Sequence, residues 1–204
     1  MQSIRILLAC TAMLAAATSV AAESPDYIVV VDQGKFQIRD YAPMLVAQTR
    51  VSSDSSAARN TAFRRLFDYI SGENRGRQGL ETKSPTTAAE SAKIAMTSPV
   101  TTVDSDEEFL MQFVVPREYD ARTVPIPSSA LVEVVTLPAE RVAVLRYSGR
   151  SSIGNFQRAE RALRVELEQR GITATGVARQ AVYNGPFTPP FLRTNEAIVP
   201  IQAP

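Results

Sequence analysis

Residues 57–72 read AARNTAFRRLFDYISG, and this stretch carries the pattern that decides the fold. Apolar side chains recur at spacings of three and four residues and form one helical stripe: Phe63, Leu66, Phe67 and Ile70. Most charged residues of the segment fall outside the stripe, and Gly72 follows as a helix C-cap. The pattern predicts an amphipathic helix over 57–71. We expect it to lie on a sheet, with an apolar ligand cleft between the two.

The sequence around this helix predicts strands and one more helix. Apolar and polar residues alternate in KFQIR (35–39), as in a half-buried strand. A second helix is predicted over 153–170, with an apolar stripe of Phe156, Ala159, Leu163 and Leu167 and with Gly171 as its C-cap. The predicted strands lie in 27–51 (two strands), 93–103, 108–115, 131–137, 141–147, 175–183 and 196–201.

The order strand-strand-helix-strand-strand therefore occurs twice. Each half would be an antiparallel sheet that buries the apolar stripe of one helix. The sequence thus predicts an α+β fold in which pseudo-duplicated ββαββ halves form a distorted antiparallel β-barrel with two flanking helices.

The N-terminus differs from the rest of the chain. Residues 6–20 are an apolar run with small residues after it, and Arg5 is the only charge before Glu23. This pattern predicts a signal peptide over 1–22 and a single domain over 23–204. An uncleaved membrane anchor is the alternative, although the run is short for a spanning helix. Cleavage predicts a periplasmic or secreted protein without a membrane partner.

Cleavage also removes Cys10, the only cysteine, and the chain contains no histidine. The mature chain would therefore lack a thiol nucleophile, a disulfide and the usual soft metal ligands. Loss of Arg5 leaves the basic residues in balance with the 21 acidic ones. Because proteins that bind nucleic acid usually carry a basic excess, the sequence argues against nucleic acid as a partner. We expect a monomer.

Seven short motifs follow one another in a fixed order along residues 27–201. They are FQIRDYAP (36–43), AFRRLFDYISGEN (62–74), KIAMTSPV (93–100), FVVP (113–116), VAVLRYSG (142–149), YNGPF (183–187) and PFLRTNE (190–196). In this order they resemble the SOUL/haem-binding-protein family, and KIAMTSPV is the most specific of them. The resemblance implies a distorted β-barrel with two helices, non-covalent binding of haem or another porphyrin, and a role as carrier or buffer.

The resemblance also implies where the tetrapyrrole binds. The family's proposed contacts lie largely on the first helix, and they match Phe63 and Phe67, with Leu66 and Ile70 on the same stripe. The alternative is that these side chains are simply core. Some family members are thought to hold iron through histidine, which is absent here, so only residues such as Tyr69 or Met96 remain as axial ligands. We therefore expect weak or no axial ligation and no dedicated metal site.

Haem propionates need cationic partners, and arginine suits carboxylates. The cations near the motifs are Arg64, Arg65, Lys93 and Arg193, of which Arg193 is included among the predicted ligand contacts. Each of them is alternatively a solvated surface residue. The polar segment 75–92 is longer than the family's usual connection between the first helix and the next motif. It is interpreted either as a lid over the cleft or as a surface loop without a function.

Two further functions remain open at the level of the sequence. One is a small-molecule hydrolase or general apolar-ligand-binding domain on the same fold. Related folds include hydrolases of small molecules that use a Glu and a Tyr, and Glu196 with Tyr183 would be such a pair. The alternative is a structural role, in which Glu196 accepts hydrogen bonds from backbone or arginine groups in the last strand. An envelope interaction protein with a vestigial cleft is the other possibility.

Overall fold

The computed structural model describes residues 22–52, 57–76, 91–105 and 107–202. The predicted signal peptide therefore lies almost wholly outside the described residues, as does most of the segment 75–92. The elements are β1 (Tyr27–Gln33), β2 (Phe36–Tyr41), β3 (Met44–Ser52), α1 (Ala58–Ser71), β4 (Asn74–Arg75), β5 (Val100–Asp104), β6 (Glu108–Val114), β7 (Ile126–Pro127), β8 (Glu133–Leu137), β9 (Glu140–Tyr147), α2 (Ile153–Gln169), β10 (Arg179–Val182), a 3-10 turn (Pro190–Leu192) and β11 (Asn195–Pro200). No helix among these residues is long and apolar enough to cross a bilayer.

Nine strands form one antiparallel sheet in the order β1-β2-β9-β11-β10-β5-β6-β3-β8, curled into a half-barrel. The order is nearly symmetric about the central pair of β10 and β5. On one side, β11, β9 and β2 follow β10, and on the other side β6, β3 and β8 follow β5. Each ββαββ half thus pairs its first strand with the other half, because β2 lies on β9 and β8 lies on β3. The predicted α+β fold with two flanking helices and pseudo-duplicated halves is confirmed.

Helix α1 lies on β3 and β6 and ends where the sequence predicts. Gly72 has φ of 127°, a backbone conformation that glycine adopts most easily, and its N–H bonds to the last turn. The buried side chains of the helix are Ala58, Ala62, Leu66, Tyr69 and Ile70. The buried face is therefore rotated away from Phe63 and Phe67, because Ala62 and Tyr69 lie on the side of Leu66 opposite to the two phenylalanines.

Helix α2 lies on β9 and β11 and confirms the second predicted stripe. Its buried residues are Ala159, Leu163 and Leu167, and Phe156 packs partly buried against the same cluster. Ser152 caps its N-terminus by accepting a hydrogen bond from the Asn155 N–H.

Two predicted strand regions differ from the structure. The stretch 27–51 contains three strands, because the Asp32 side chain accepts the Gly34 N–H and makes a tight turn between β1 and β2. Residues 93–99 are not a strand. The Ile94 N–H donates to the Ile70 carbonyl at the end of α1, and the Thr97 hydroxyl donates to the Val114 carbonyl. This segment is therefore held by the helix end and by β6 through single hydrogen bonds instead of a ladder.

Candidate functional site

An aromatic pair stands on the outer face of α1. The side chains of Phe63 and Phe67 are 41% and 48% exposed, although both are large and apolar. Their rings are nearly parallel, with centroids 5.9 Å apart and planes at 15°, and the Phe113 ring of β6 meets Phe63 edge-on at 5.5 Å. Flat apolar rings that are held against a buried neighbour can stack on another flat ring system. We refer to Phe63 and Phe67 as the aromatic platform.

The cleft predicted beneath the helix is filled by protein. Leu66, Tyr69 and Ile70 are buried in one cluster with side chains of β6, namely Phe109, Met111 and Phe113. The Tyr69 hydroxyl also donates to the Pro125 carbonyl at 2.8 Å, so this side chain contributes to the packing of the fold. The expectation of an open slot between α1 and the sheet is therefore wrong for the described residues, because side chains of β6 occupy that space. Of the predicted contacts on the helix, only the aromatic platform faces outward.

The other predicted ligand contacts are not gathered at one point. Met96 and Lys93 are exposed in the segment before β5. Arg64 is exposed on α1, whereas Arg65 donates to the Arg50 carbonyl at the end of β3. Arg193 uses its guanidinium within its own loop, on the carbonyls of Thr188 and Pro186. Arg64 and Lys93 therefore remain the candidates for binding a carboxylate of the ligand, whereas Arg193 stabilises its own loop.

The concave face of the half-barrel holds a small cavity. Its volume is about 30 Å³, which is the space of one water molecule. Apolar side chains from several strands and from the N-terminal segment line most of it, including Pro25, Tyr41, Met44, Val46, Pro99 and Ile198. A tetrapyrrole does not fit in this cavity.

A buried ionic network lies on the same concave face. Arg39 of β2 donates to both oxygens of Glu196 on β11, at 2.9 and 2.7 Å, and both side chains are about 1% exposed. The Tyr183 hydroxyl donates to Glu196 Oε2 at 2.6 Å, and Arg146 lies 3.4 Å from Oε1. Gln37 Oε1 accepts hydrogen bonds from Nε and Nη2 of Arg39, and the Tyr41 hydroxyl accepts one from Nη1 at 3.3 Å. The carboxylate is thus fully engaged by protein groups.

The pKa values follow from this arrangement. Burial alone would lower the pKa of Arg39, but the hydrogen bond and the charge of Glu196 raise it above its ordinary value. Burial and the neighbouring Glu196 charge raise the pKa of Tyr183 well above its ordinary value. Arg39 is therefore charged and Tyr183 is neutral at physiological pH.

The sequence predicted the association of Glu196 with Tyr183, and the structure brings the two together. Arg39 was missed, although its position on the polar face of the alternating KFQIR segment was a usable signal. A general base must reach a substrate proton. Because Glu196 is buried and bound to Arg39, the geometry favours its structural role, which the sequence offered as the alternative.

Metal ligation has little support in the part of the chain that the structure describes. No group of three or more His, Cys, Asp or Glu side chains is placed there to hold an ion. Two residues were predicted as possible axial ligands. The Tyr69 side chain is buried and its hydroxyl donates to the Pro125 carbonyl, whereas the Met96 side chain is exposed.

These features define a two-helix antiparallel half-barrel with an exposed aromatic platform. The fold is similar to that of the EcmrR C-terminal domain, at a TM-score of 0.56 and 11% identity over 83% of this chain and 98% of that one. It is also similar to a hydrolase encoded by lin2189 from Listeria innocua, at 0.52 and 10% over 82% and 92%. The model of the family described as SOUL heme-binding protein matches residues 22–200, and the chain belongs to this family. No curated protein matches the chain significantly.

Proposed function

We propose that this protein is an exported carrier or buffer of haem or another porphyrin, which it holds non-covalently on the aromatic platform of α1. The observation that carries the proposal is the exposed, nearly parallel pair of Phe63 and Phe67 in a chain of the SOUL family. Exposing two phenylalanines on one helix face is costly in water, because their apolar area stays hydrated. A flat apolar ligand would cover that area.

Charge around the aromatic platform suits a ligand with carboxylates. Arg64 lies next to Phe63 in sequence and is exposed on α1, and Lys93 is exposed in the segment beside the helix end. Neither side chain has a carboxylate within ion-pair distance among the described residues. Both are therefore available to bind the propionates of a ligand on the aromatic platform.

Binding without an axial ligand has a measurable consequence. The chain has no histidine, and the thiol of Cys10 leaves if the signal peptide is cleaved. Stacking and burial act on the macrocycle and not on its iron. We therefore expect hemin and metal-free protoporphyrin to bind with affinities that agree within about tenfold.

Titration of the purified protein with hemin and protoporphyrin tests the proposal. A Soret shift that saturates near one ligand per chain is the expected result, and the variant Phe63→Ala/Phe67→Ala should weaken binding by at least about tenfold. The matched control is Phe187→Ala/Phe191→Ala, which removes two phenylalanines that are also exposed but lie far along the chain. Absence of a saturable change, or equal affinity of the folded platform variant, would contradict the proposal.

Export is tested separately. Ser19-Val20-Ala21 and Val20-Ala21-Ala22 both fit the small-residue cleavage pattern, which predicts cleavage after Ala21 or Ala22. The intact mass of the protein recovered from the periplasm or medium should therefore correspond to a chain that begins at Ala22 or Glu23. A mass that includes residue 1 would support the uncleaved anchor instead.

A further inference from the structure

The loop between β10 and β11 displays three large apolar side chains to solvent. Phe187 is 98% exposed, Phe191 is 76% exposed and Leu192 is 62% exposed, all within six residues. We refer to residues 185–192 as the apolar loop. Single exposed apolar residues are common on protein surfaces, but a cluster of this kind indicates an interaction site.

The apolar loop is held in shape by hydrogen bonds at its base. Arg193 donates to the Thr188 carbonyl at 2.7 Å and to the Pro186 carbonyl at 2.6 Å. The Thr194 N–H donates to the Asn184 side chain, which closes the two ends of the loop. The guanidinium therefore satisfies the backbone inside the turn, and the apolar side chains point away from it.

Several cationic side chains lie next to the apolar loop. The Gly149 N–H donates to the Pro190 carbonyl at 2.9 Å, and this contact brings the exposed Arg150 to the base of the loop. The neighbouring surface groove is lined by Lys35, Arg146 and Arg158 and by no acidic residue. Arg146 also lies 3.4 Å from the buried Glu196, whereas Arg158 is exposed and donates to the Asn155 amide oxygen, with no carboxylate within ion-pair distance among the described residues.

The sequence shows the same asymmetry of charge. Residues 141–159 contain four arginines and residues 179–195 contain two, and neither stretch has an aspartate or a glutamate. Elsewhere acidic and basic residues are mixed, since the whole chain carries a net charge of +1. Of these six arginines, Arg141, Arg146 and Arg179 are ion-paired with Asp40, Glu196 and Glu140. The positive charge of these segments that is exposed and not ion-paired among the described residues is therefore that of Arg150 and Arg158.

We propose that the apolar loop docks the protein on an anionic lipid membrane. Phe187, Phe191 and Leu192 enter the boundary between head groups and acyl chains, while Arg150 and Arg158 contact the lipid phosphates. Apolar insertion and electrostatic attraction to anionic lipid act together in peripheral binding of this type. This proposal differs from the sequence-based expectation that the mature chain has no membrane partner. It does not depend on tetrapyrrole binding, because the aromatic platform is on α1.

Vesicle sedimentation tests the proposal on the chain without residues 1–21, since the family match and all the described structure begin at residue 22. The protein should sediment with vesicles of phosphatidylglycerol and phosphatidylcholine, and much less with phosphatidylcholine alone or at 1 M salt, where charge is screened over about 3 Å. The variant Phe187→Ser/Phe191→Ser should partition at least about tenfold less. Arg150→Gln/Arg158→Gln should lose the preference for anionic lipid.

The matched control is Val177→Ser/Leu131→Ser, which removes two exposed apolar side chains outside the loop and should sediment like the parent protein. Fluorescence gives a second readout, because the chain has no tryptophan. Phe191→Trp should shift its emission to the blue on addition of anionic vesicles, and Val177→Trp should not. Failure of the parent protein to bind anionic vesicles, or equal binding by the loop variant, overturns the proposal. Loop-dependent binding to another protein without vesicle binding would overturn it as well.

Discussion

Glu196 and Gln112 occupy equivalent positions in the two halves of the sheet. Glu196 lies opposite Ala181 of β10, Gln112 lies opposite Thr101 of β5, and Ala181 and Thr101 are paired with each other at the centre of the sheet. Both side chains are buried on the concave face. Glu196 binds a cation two strands away, whereas Gln112 donates to another amide, Gln48 of β3. The two halves thus share a backbone plan but differ in charge.

The buried ion pair predicts a large effect of one isosteric change. Glu196→Gln keeps the shape of the side chain but leaves Arg39 as a buried cation without a counter-charge. We expect the free energy of unfolding to fall by about 3–5 kcal/mol, measured by urea denaturation. Glu133→Gln is the control, because its ion pair with Arg50 is exposed, and it should cost less than about 1 kcal/mol. Similar values for the two variants would show that Arg39 has other compensation.

The tyrosines of the interior predict a loss of stability at alkaline pH. Burial raises the pKa values of Tyr41, Tyr147 and Tyr183 in the folded chain. Above about pH 10 the unfolded chain releases tyrosine protons that the folded chain keeps. The folded state then binds more protons than the unfolded state, so the free energy of unfolding is retained below pH 10 and falls as the pH rises further.

Urea denaturation between pH 8 and pH 11 measures this loss. Each retained proton contributes a slope of up to about 1.4 kcal/mol per pH unit. Tyr183→Phe should be less stable at neutral pH, because Glu196 loses a hydrogen bond, but its stability should fall less steeply at high pH. A slope unchanged by the substitution would show that Tyr183 titrates in the folded protein as it does in the unfolded chain.

Local patterns predicted most of the elements. The spacing of Leu66 and Ile70 and the glycine at position 72 placed α1 to within one residue of its start and end. Periodicity could not predict which strands pair across the halves, since β2 with β9 depends on contacts about a hundred residues apart. For the same reason the sequence did not predict the Arg39–Glu196 pair, whose members are 157 residues apart.

The face of α1 was predicted less well than the helix itself. Phe63 and Phe67 were assigned to the same stripe as Leu66 and Ile70 because they are the most apolar side chains nearby. Burial in the structure is decided by fit against β6, where the small Ala62 and the flat Tyr69 allow close approach. The two phenylalanines are therefore left on the exposed side of the helix, although they are large and apolar.

Substitutions of two adjacent residues of α1 should distinguish the buried core from the aromatic platform. Leu66 is fully buried, so Leu66→Ala should lower the free energy of unfolding by about 3 kcal/mol through lost burial and a cavity. Phe67 is half-exposed, so Phe67→Ala should cost less than about 1 kcal/mol while weakening porphyrin binding. Urea denaturation and porphyrin titration of both variants measure the two effects. Equal destabilisation would mean that Phe67 is a core residue and would remove the basis of the aromatic platform.

Replacement of glycine by alanine should have opposite effects on stability at the two ends of α2. Gly154 lies in the first turn, and a Cβ at this position would meet no atom within 4 Å, so Gly154→Ala should raise the free energy of unfolding by about 0.5–1 kcal/mol. Gly171 follows the last turn with φ of 65°, and it also has open space around it. Gly171→Ala should therefore destabilise by about 1 kcal/mol through backbone strain alone, because no steric contact intervenes. Urea midpoints that move in the same direction for both variants would show that side-chain packing, and not the backbone angle, sets the end of this helix.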